Sequence, residues 1–157
     1  MWEAWSEDFR PRLIVVSDLD SADEDFEDLA AQVQEMVGED SAVVVRYLPL
    51  HDDDGGVAGL LDLLTEEVRD YSSGELALAA CDLEHRLLTA DSRADLVTMI
   101  ATRAADDSIL TRVLALMPVD LTLEFDRQFA GGEIVPLMIL DGIGRSELDA
   151  MIERLSS

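Results

Sequence analysis

The residues of this chain best placed to do chemistry are carboxylates that follow apolar runs. Asp18 and Asp20 come after Arg12–Val16, and His51 with Asp52, Asp53 and Asp54 after Ala42–Leu48. Asp82, Glu84 and His85 follow Leu76–Cys81, and Asp141 follows Ile134–Leu140. Short continuous apolar runs suit strands buried on both faces, and an open α/β sheet binds ligands beyond the carboxyl ends of its strands. Asp18, Asp20 and Asp82 meeting there would offer oxygen ligands to Mg²⁺. An Asp beside that ion could accept or place a phosphoryl group. Against this stands abundance. Asp and Glu are 35 of 157 residues, and Asp favours turns and helix caps for backbone reasons alone.

Other chemistries have less to stand on. Cys81 is the one cysteine and ends the apolar run Leu-Ala-Leu-Ala-Ala, so it reads as a small buried hydrophobe rather than an activated thiol. A Cys81–His85 pair would need a partnership across a turn that its spacing does not specify. Two His and no Cys-x-x-Cys exclude the usual zinc sites. The pairs Gly55-Gly56 and Gly131-Gly132 lack the spacing and the following Lys of a phosphate-cradling loop, and read as turns.

Three resemblances follow from these positions. Val15-Val16-Ser17-Asp18-Leu19-Asp20-Ser21 resembles the first motif of haloacid-dehalogenase-type phosphatases, which implies a nucleophilic Asp18 and an acid/base Asp20. That family also needs a basic residue and a Ser or Thr at other strand ends, which this chain does not supply. The strand order, with acids after the first strand and Asp82 ending the third, is similar to response-regulator receivers. Those carry a Lys where Asp141-Gly142 stands here. Ile134-Val135-Pro136-Leu137 is similar to the cis-proline strand of thioredoxin-like proteins, but Ser21–Glu24 replaces their paired cysteines, which excludes redox chemistry.

The elements that would hold these groups alternate. A first strand at Arg12–Val16 leads to a helix capped by Ser21, with Phe26, Leu29, Ala30, Val33, Met36 and Val37 on one face and Gly38 at its end. A second strand at Ala42–Leu48 ends at Pro49, and the spacing of Leu60, Leu61, Leu64 and Val68 predicts a helix over Val57–Val68. A third strand, Leu76–Cys81, precedes a turn at Asp82–His85 and then Arg86–Thr89, either a hairpin partner or a loop. Asp91 or Ser92 caps a helix reaching Ala105, and Asp106–Ser108 caps another over Ile109–Met117. That second helix is apolar almost all round, which predicts burial or an oligomer interface. Period-two alternation makes Val119–Phe125 an edge strand, and Pro136 sets Ile134–Leu140 at an edge or bulge. Ser146–Leu155 is the last helix. The order implies a three-layer α/β fold: a mainly parallel sheet of five or six strands with helices on both faces. Residues 1–10 form a polar segment, and 11–157 a single domain.

Charge then limits the partners. The net charge is −24, and all eleven basic residues are Arg. Scattered Arg among so many acids provides no footprint for nucleic acid, and an anionic membrane would repel the chain. No apolar run spans a bilayer, and Met1–Asp8 has neither the basic nor the apolar part of a signal peptide. The absence of Lys and Asn and the excess of acid resemble salt-in halophilic archaeal proteins, which implies a cytoplasmic setting at high salt. The spacing of Trp2, Trp5 and Phe9 would set them on one face of a short N-terminal helix, to dock on the core or anchor a partner. The resulting expectation is a non-enzymatic interaction or regulatory domain working through a protein partner or a homodimer, without a cofactor. The alternative is the Mg²⁺-dependent phosphoryl-transfer or phospho-acceptor domain. Molar salt shortens the screening length to ~3 Å, so self-repulsion should fade and the melting temperature should climb as KCl is raised. A thermal melt that does not move with KCl would refute this.

Overall fold

The computed structural model describes residues 11–17, 26–71, 73, 75–139 and 144–155. Trp2, Trp5, Phe9, Asp18, Asp20, Ser21 and Asp141 lie outside them. The elements run β1 (Ile14–Val16), α1 (Phe26–Val37), β2 (Ala42–Val45), β3 (Tyr47–His51), β4 (Val57–Asp62), β5 (Glu67–Asp70) and β6 (Ala77–Ala80). They continue with α2 (Leu83–Leu88), α3 (Ala90–Ala101), α4 (Asp107–Leu114), α5 (Pro118–Ala130), β7 (Ile134–Ile139) and α6 (Gly144–Leu155).

The fold is mixed α/β, but the strands form two sheets rather than one. β1, β7 and β2 make a parallel sheet with β7 central, and β3, β4, β5 and β6 make an antiparallel meander. The single sheet of five or six mainly parallel strands expected above is therefore corrected. The division falls at Arg46. The strand expected over Ala42–Leu48 breaks there, β2 pairing with β7 and β3 turning to β4.

The helix expected over Val57–Val68 is instead the β4–β5 hairpin. Its Leu and Glu content favours helix locally, but tertiary context overrides so weak a preference. β4 has Gly59 where it crosses β5, and a Cβ at that position would stand 2.9 Å from the Arg69 carbonyl oxygen. Leu60, Leu61 and Asp62 are all buried, so the run is sheltered on both faces, which a surface helix would not be. The preceding loop is held by Asp52, whose carboxylate accepts the Asp54 and Gly56 N–H groups at 3.0 and 2.9 Å.

The expected edge strand at Val119–Phe125 is part of α5. Pro118 opens that helix from its first turn, where no donor is needed. Leu121, Glu124, Phe125, Gln128 and Phe129 are buried at helical spacing, a longer and stronger pattern than the seven-residue alternation. Arg86–Leu88 is likewise helical, within α2. Pro136 lies in the central β7 rather than at an edge. It pairs with Val44 on one side, while on the other the β1 ladder begins only at Leu137, so no pairing is lost there. The peptide bond before Pro136 is trans. Central burial, one of the two alternatives expected for the Ile109–Met117 helix, holds only in part. Val113 is buried, whereas Leu114, Leu116 and Met117 are exposed.

The core lies against the parallel sheet, where Leu121, Phe125 and Phe129 of α5 join Ile134, Leu137 and Met138 of β7. Gln128, buried within it, donates to the Ile100 carbonyl and to Glu124, both at 2.8 Å, tying α5 to α3. Leu116, just past the end of α4, has φ +57. A left-handed Leu costs about 1–2 kcal/mol where glycine would cost little steric strain. Leu116→Gly should therefore raise the free energy of unfolding, by up to about 1 kcal/mol once glycine's extra chain entropy is subtracted. A fall in denaturation midpoint would contradict that assignment of strain.

Candidate functional site

Of the three predicted metal ligands, only Asp82 falls among the described residues. It caps α2, accepting the His85 backbone N–H and making a contact with His85 Nδ1, each at 2.8 Å. The backbone bond leads in holding its carboxyl below the usual range. Asp82 follows β6 of the meander, whereas Asp18 would follow β1 of the parallel sheet. Among the described residues no group of three or more His, Cys, Asp or Glu is arranged to hold a metal ion. Asp52 organises its own loop, as above, and Glu84 is exposed. Cys81 is buried, and burial raises its thiol pKa, as a packing residue requires.

What the structure does bring together is a polar junction between the two sheets. Arg46, at the joint of β2 and β3, is only 2% exposed. Its Nε and Nη2 donate to the Asp62 carboxylate of β4 at 3.2 and 2.8 Å. Its guanidinium lies 5.0 Å from the Tyr47 ring centroid and 5.2 Å from that of Phe125. Asp62, fully buried, also accepts the Leu64 N–H at 2.9 Å and lies 3.7 Å from Arg69 of β5. Arg69 Nη1 donates to Glu147 Oε1 at 2.8 Å, and the Tyr71 hydroxyl donates to the same oxygen at 2.9 Å. Glu147 belongs to α6, which packs on β7. Hydrogen bonds at its two ends and a longer ion pair between Asp62 and Arg69 thus link the β2–β3 joint through the meander to a helix of the parallel layer.

The charged groups of the junction are paired, but Arg46 Nη1, the Tyr47 hydroxyl and Arg69 Nε are buried without a hydrogen-bond partner among the described residues. Burial by itself would lower the Arg46 pKa, but Asp62 and the other neighbouring groups raise it on balance. Burial raises the Tyr47 hydroxyl well above its ordinary value. Burial, with the bond to Glu147, pushes Tyr71 up to about 12. Both phenols therefore stay protonated at neutral pH, and the acids Asp62 and Glu147 are matched by guanidinium groups. A cleft of about 410 Å³ opens beside this junction, walled by Arg69, Tyr71, Leu76, Glu147 and Arg154. Arg154 is held by Asp126 at 3.3 Å. The arrangement can position and stiffen, but it presents no activated nucleophile with a base beside it.

Sequence reasoning passed over this junction. The available signal was a lone charge inside an apolar run: Arg46 in Val-Val-Val-Arg-Tyr-Leu, and Asp62 in Leu-Leu-Asp-Leu-Leu. A charge so placed must be paired if the run is buried.

No protein-family model matches the chain. Two curated proteins do, the elongation factor G-like proteins of two Mycobacterium tuberculosis strains. The chain is similar to a translation-factor-like protein. Each aligns at 26% identity over 157 positions, covering 94% of this chain. The chain spans about a fifth of their length (20%). A crystal structure of a protein from Thermus thermophilus has the same fold, at a TM-score of 0.69 and 22% identity, and covers 98% of this chain and 23% of its own. The similarity thus covers both sheets and the junction between them.

Removing one member of the junction tests its weight. Asp62→Ala would leave Arg46 buried without its carboxylate and should cost roughly 3–5 kcal/mol in denaturant unfolding. A loss below about 1 kcal/mol would show the pair to be dispensable.

Proposed function

We propose that the chain is a translation-factor-like binding module that acts without catalysis, through protein contacts, in the cytosol of a high-salt cell. The observation that carries this reading is the near-complete alignment with elongation factor G-like proteins, supported by the shared fold. The ion pairs of the junction, Arg46–Asp62 and Arg69–Glu147, support a structural use of those charges. Charge restricts the mode of contact. With 35 acids against 11 bases, the chain would meet the ribosome through its basic proteins rather than through RNA phosphates. No described helix is long and apolar enough to cross a membrane. The phosphoryl-transfer alternative, centred on Asp18, Asp20 and Asp82, draws no support from Asp82, whose carboxylate is engaged in a helix cap.

Sedimentation of a cell extract through a sucrose gradient in molar KCl checks the proposal. The tagged chain should travel with ribosomal particles and return to the top when those particles are dissociated into subunits. A chain that stays at the top throughout would overturn the translation reading.

A further inference from the structure

β6 ends the antiparallel sheet, and among the described residues nothing pairs with its outer edge. All four of its residues are exposed, so the strand is uncovered on its faces as well as its edge. Natural edge strands are usually blunted by charge, proline or a bulge. Over Leu76–Cys81 this one has none of them: it reads Leu-Ala-Leu-Ala-Ala-Cys, and its register with β5 is regular.

The ladder shows which groups are free. The Cys81 N–H donates to the Glu66 carbonyl at 2.9 Å, which makes Glu66 and Cys81 a hydrogen-bonded pair. Antiparallel pairs alternate, so Val68–Ala79 and Asp70–Ala77 are bonded too, while Leu78 and Ala80 direct their N–H and C=O outward. On the far side of β5, the Tyr71 N–H donates to the Ala58 carbonyl, and alternation from that pair gives the same assignment. A row of outward donors and acceptors is satisfied by one kind of ligand, an extended backbone.

Charge then chooses between a second copy and a foreign segment. Glu75 and Asp82 flank the strand, both exposed. Asp82 is itself extended. Two copies pairing edge to edge in antiparallel sense would bring each Glu75 within one residue of the other copy's Asp82, setting like charges together at both ends. A strand with basic residues at both ends would meet those same acids favourably. Leu76 and Leu78, at and within the strand, are exposed apolar groups, as are Leu83 and Leu87 of the helix that follows.

We propose that β6 is a docking edge that takes an extended protein segment with small or apolar residues in its middle and Arg or Lys at both ends, adding a fifth strand to the meander. This goes beyond the translation reading and does not depend on it.

The test is fluorescence anisotropy with the full chain and labelled Arg-Val-Thr-Val-Thr-Val-Thr-Arg, in the lowest KCl at which the chain is folded by circular dichroism. The peptide should bind saturably. The same peptide with Glu at both ends should bind at least roughly tenfold more weakly. N-methylation of alternate amides on the bonding side should abolish binding without touching the protein. Ala80→Pro removes an outward N–H and leaves the β5 ladder intact, so it should lose binding with an unchanged circular dichroism spectrum. Equal binding of the Arg- and Glu-ended peptides, or persistent binding of the N-methylated one, would overturn the proposal. A dimer of the chain that Ala80→Pro returns to monomer would overturn it in favour of a second copy. Ribosome sedimentation lost with peptide binding intact would defeat the translation reading alone, and the reverse pair of results this proposal alone.

Discussion

The Arg46–Asp62 pair is the constraint from which the rest of the architecture follows. A continuous strand over Ala42–Leu48 would have kept β3 in the parallel sheet. Instead Arg46 leaves the line of β2, and its guanidinium meets its carboxylate partner where Asp62 of β4 comes alongside. That requirement places the meander against the parallel layer. It also settles the fate of Asp62, which would be a costly buried charge were Arg46 absent. The two aromatic rings beside the guanidinium complete its environment, Tyr47 from the meander and Phe125 from α5. A purely apolar joint would hold as well or better in free energy. The ionic one adds direction, because a guanidinium and a carboxylate match in one relative orientation.

The second tie, Arg69 and Tyr71 to Glu147, extends the same logic to α6. Arg69 of β5 and Tyr71, just past the end of that strand, reach one carboxylate on a helix that packs on β7. The sheets are thus joined twice, and both joins are buried or nearly so. Such a body suits a module that must present surfaces in fixed relation.

How much of this was legible in the sequence depended on whether local pattern and tertiary environment agreed. β1, α1 with Gly38 at φ +86, β7, α6 and the Asp106 cap of α4 were readable because a single local signal governs each. The β4–β5 hairpin was not. Leu60, Leu61, Leu64 and Val68 fall at helical spacing, while the deciding fact, the close approach of Gly59 to Arg69, is a contact across strands. α5 misled in the opposite way: seven residues of alternation lay inside a thirteen-residue helix, and only the burial of Gln128 and Phe129 shows the longer period. Pro136 was assigned to an edge by a rule about missing donors. It fails here because β1 is too short to reach that position.

The site shows the same division between composition and contact. Strand-end carboxylates abound in so acidic a chain, yet Asp82 and Asp52 serve the backbone, as caps and turns do in any protein. The charges that matter to the architecture are the few embedded in apolar sequence, because water cannot compensate them and the fold must. In a chain carrying 35 acids, the informative acid is the one with nowhere to be solvated. The converse holds for apolar residues. Leu78 and the alanines of β6 are apolar where a sheet edge is normally charged, and it is their exposure, in a chain otherwise so rich in acid, that makes the strand stand out. A protein that can spread surplus charge over its loops and leaves one edge strand uncharged keeps that edge open to pairing, and the acids at its two ends limit what can pair there.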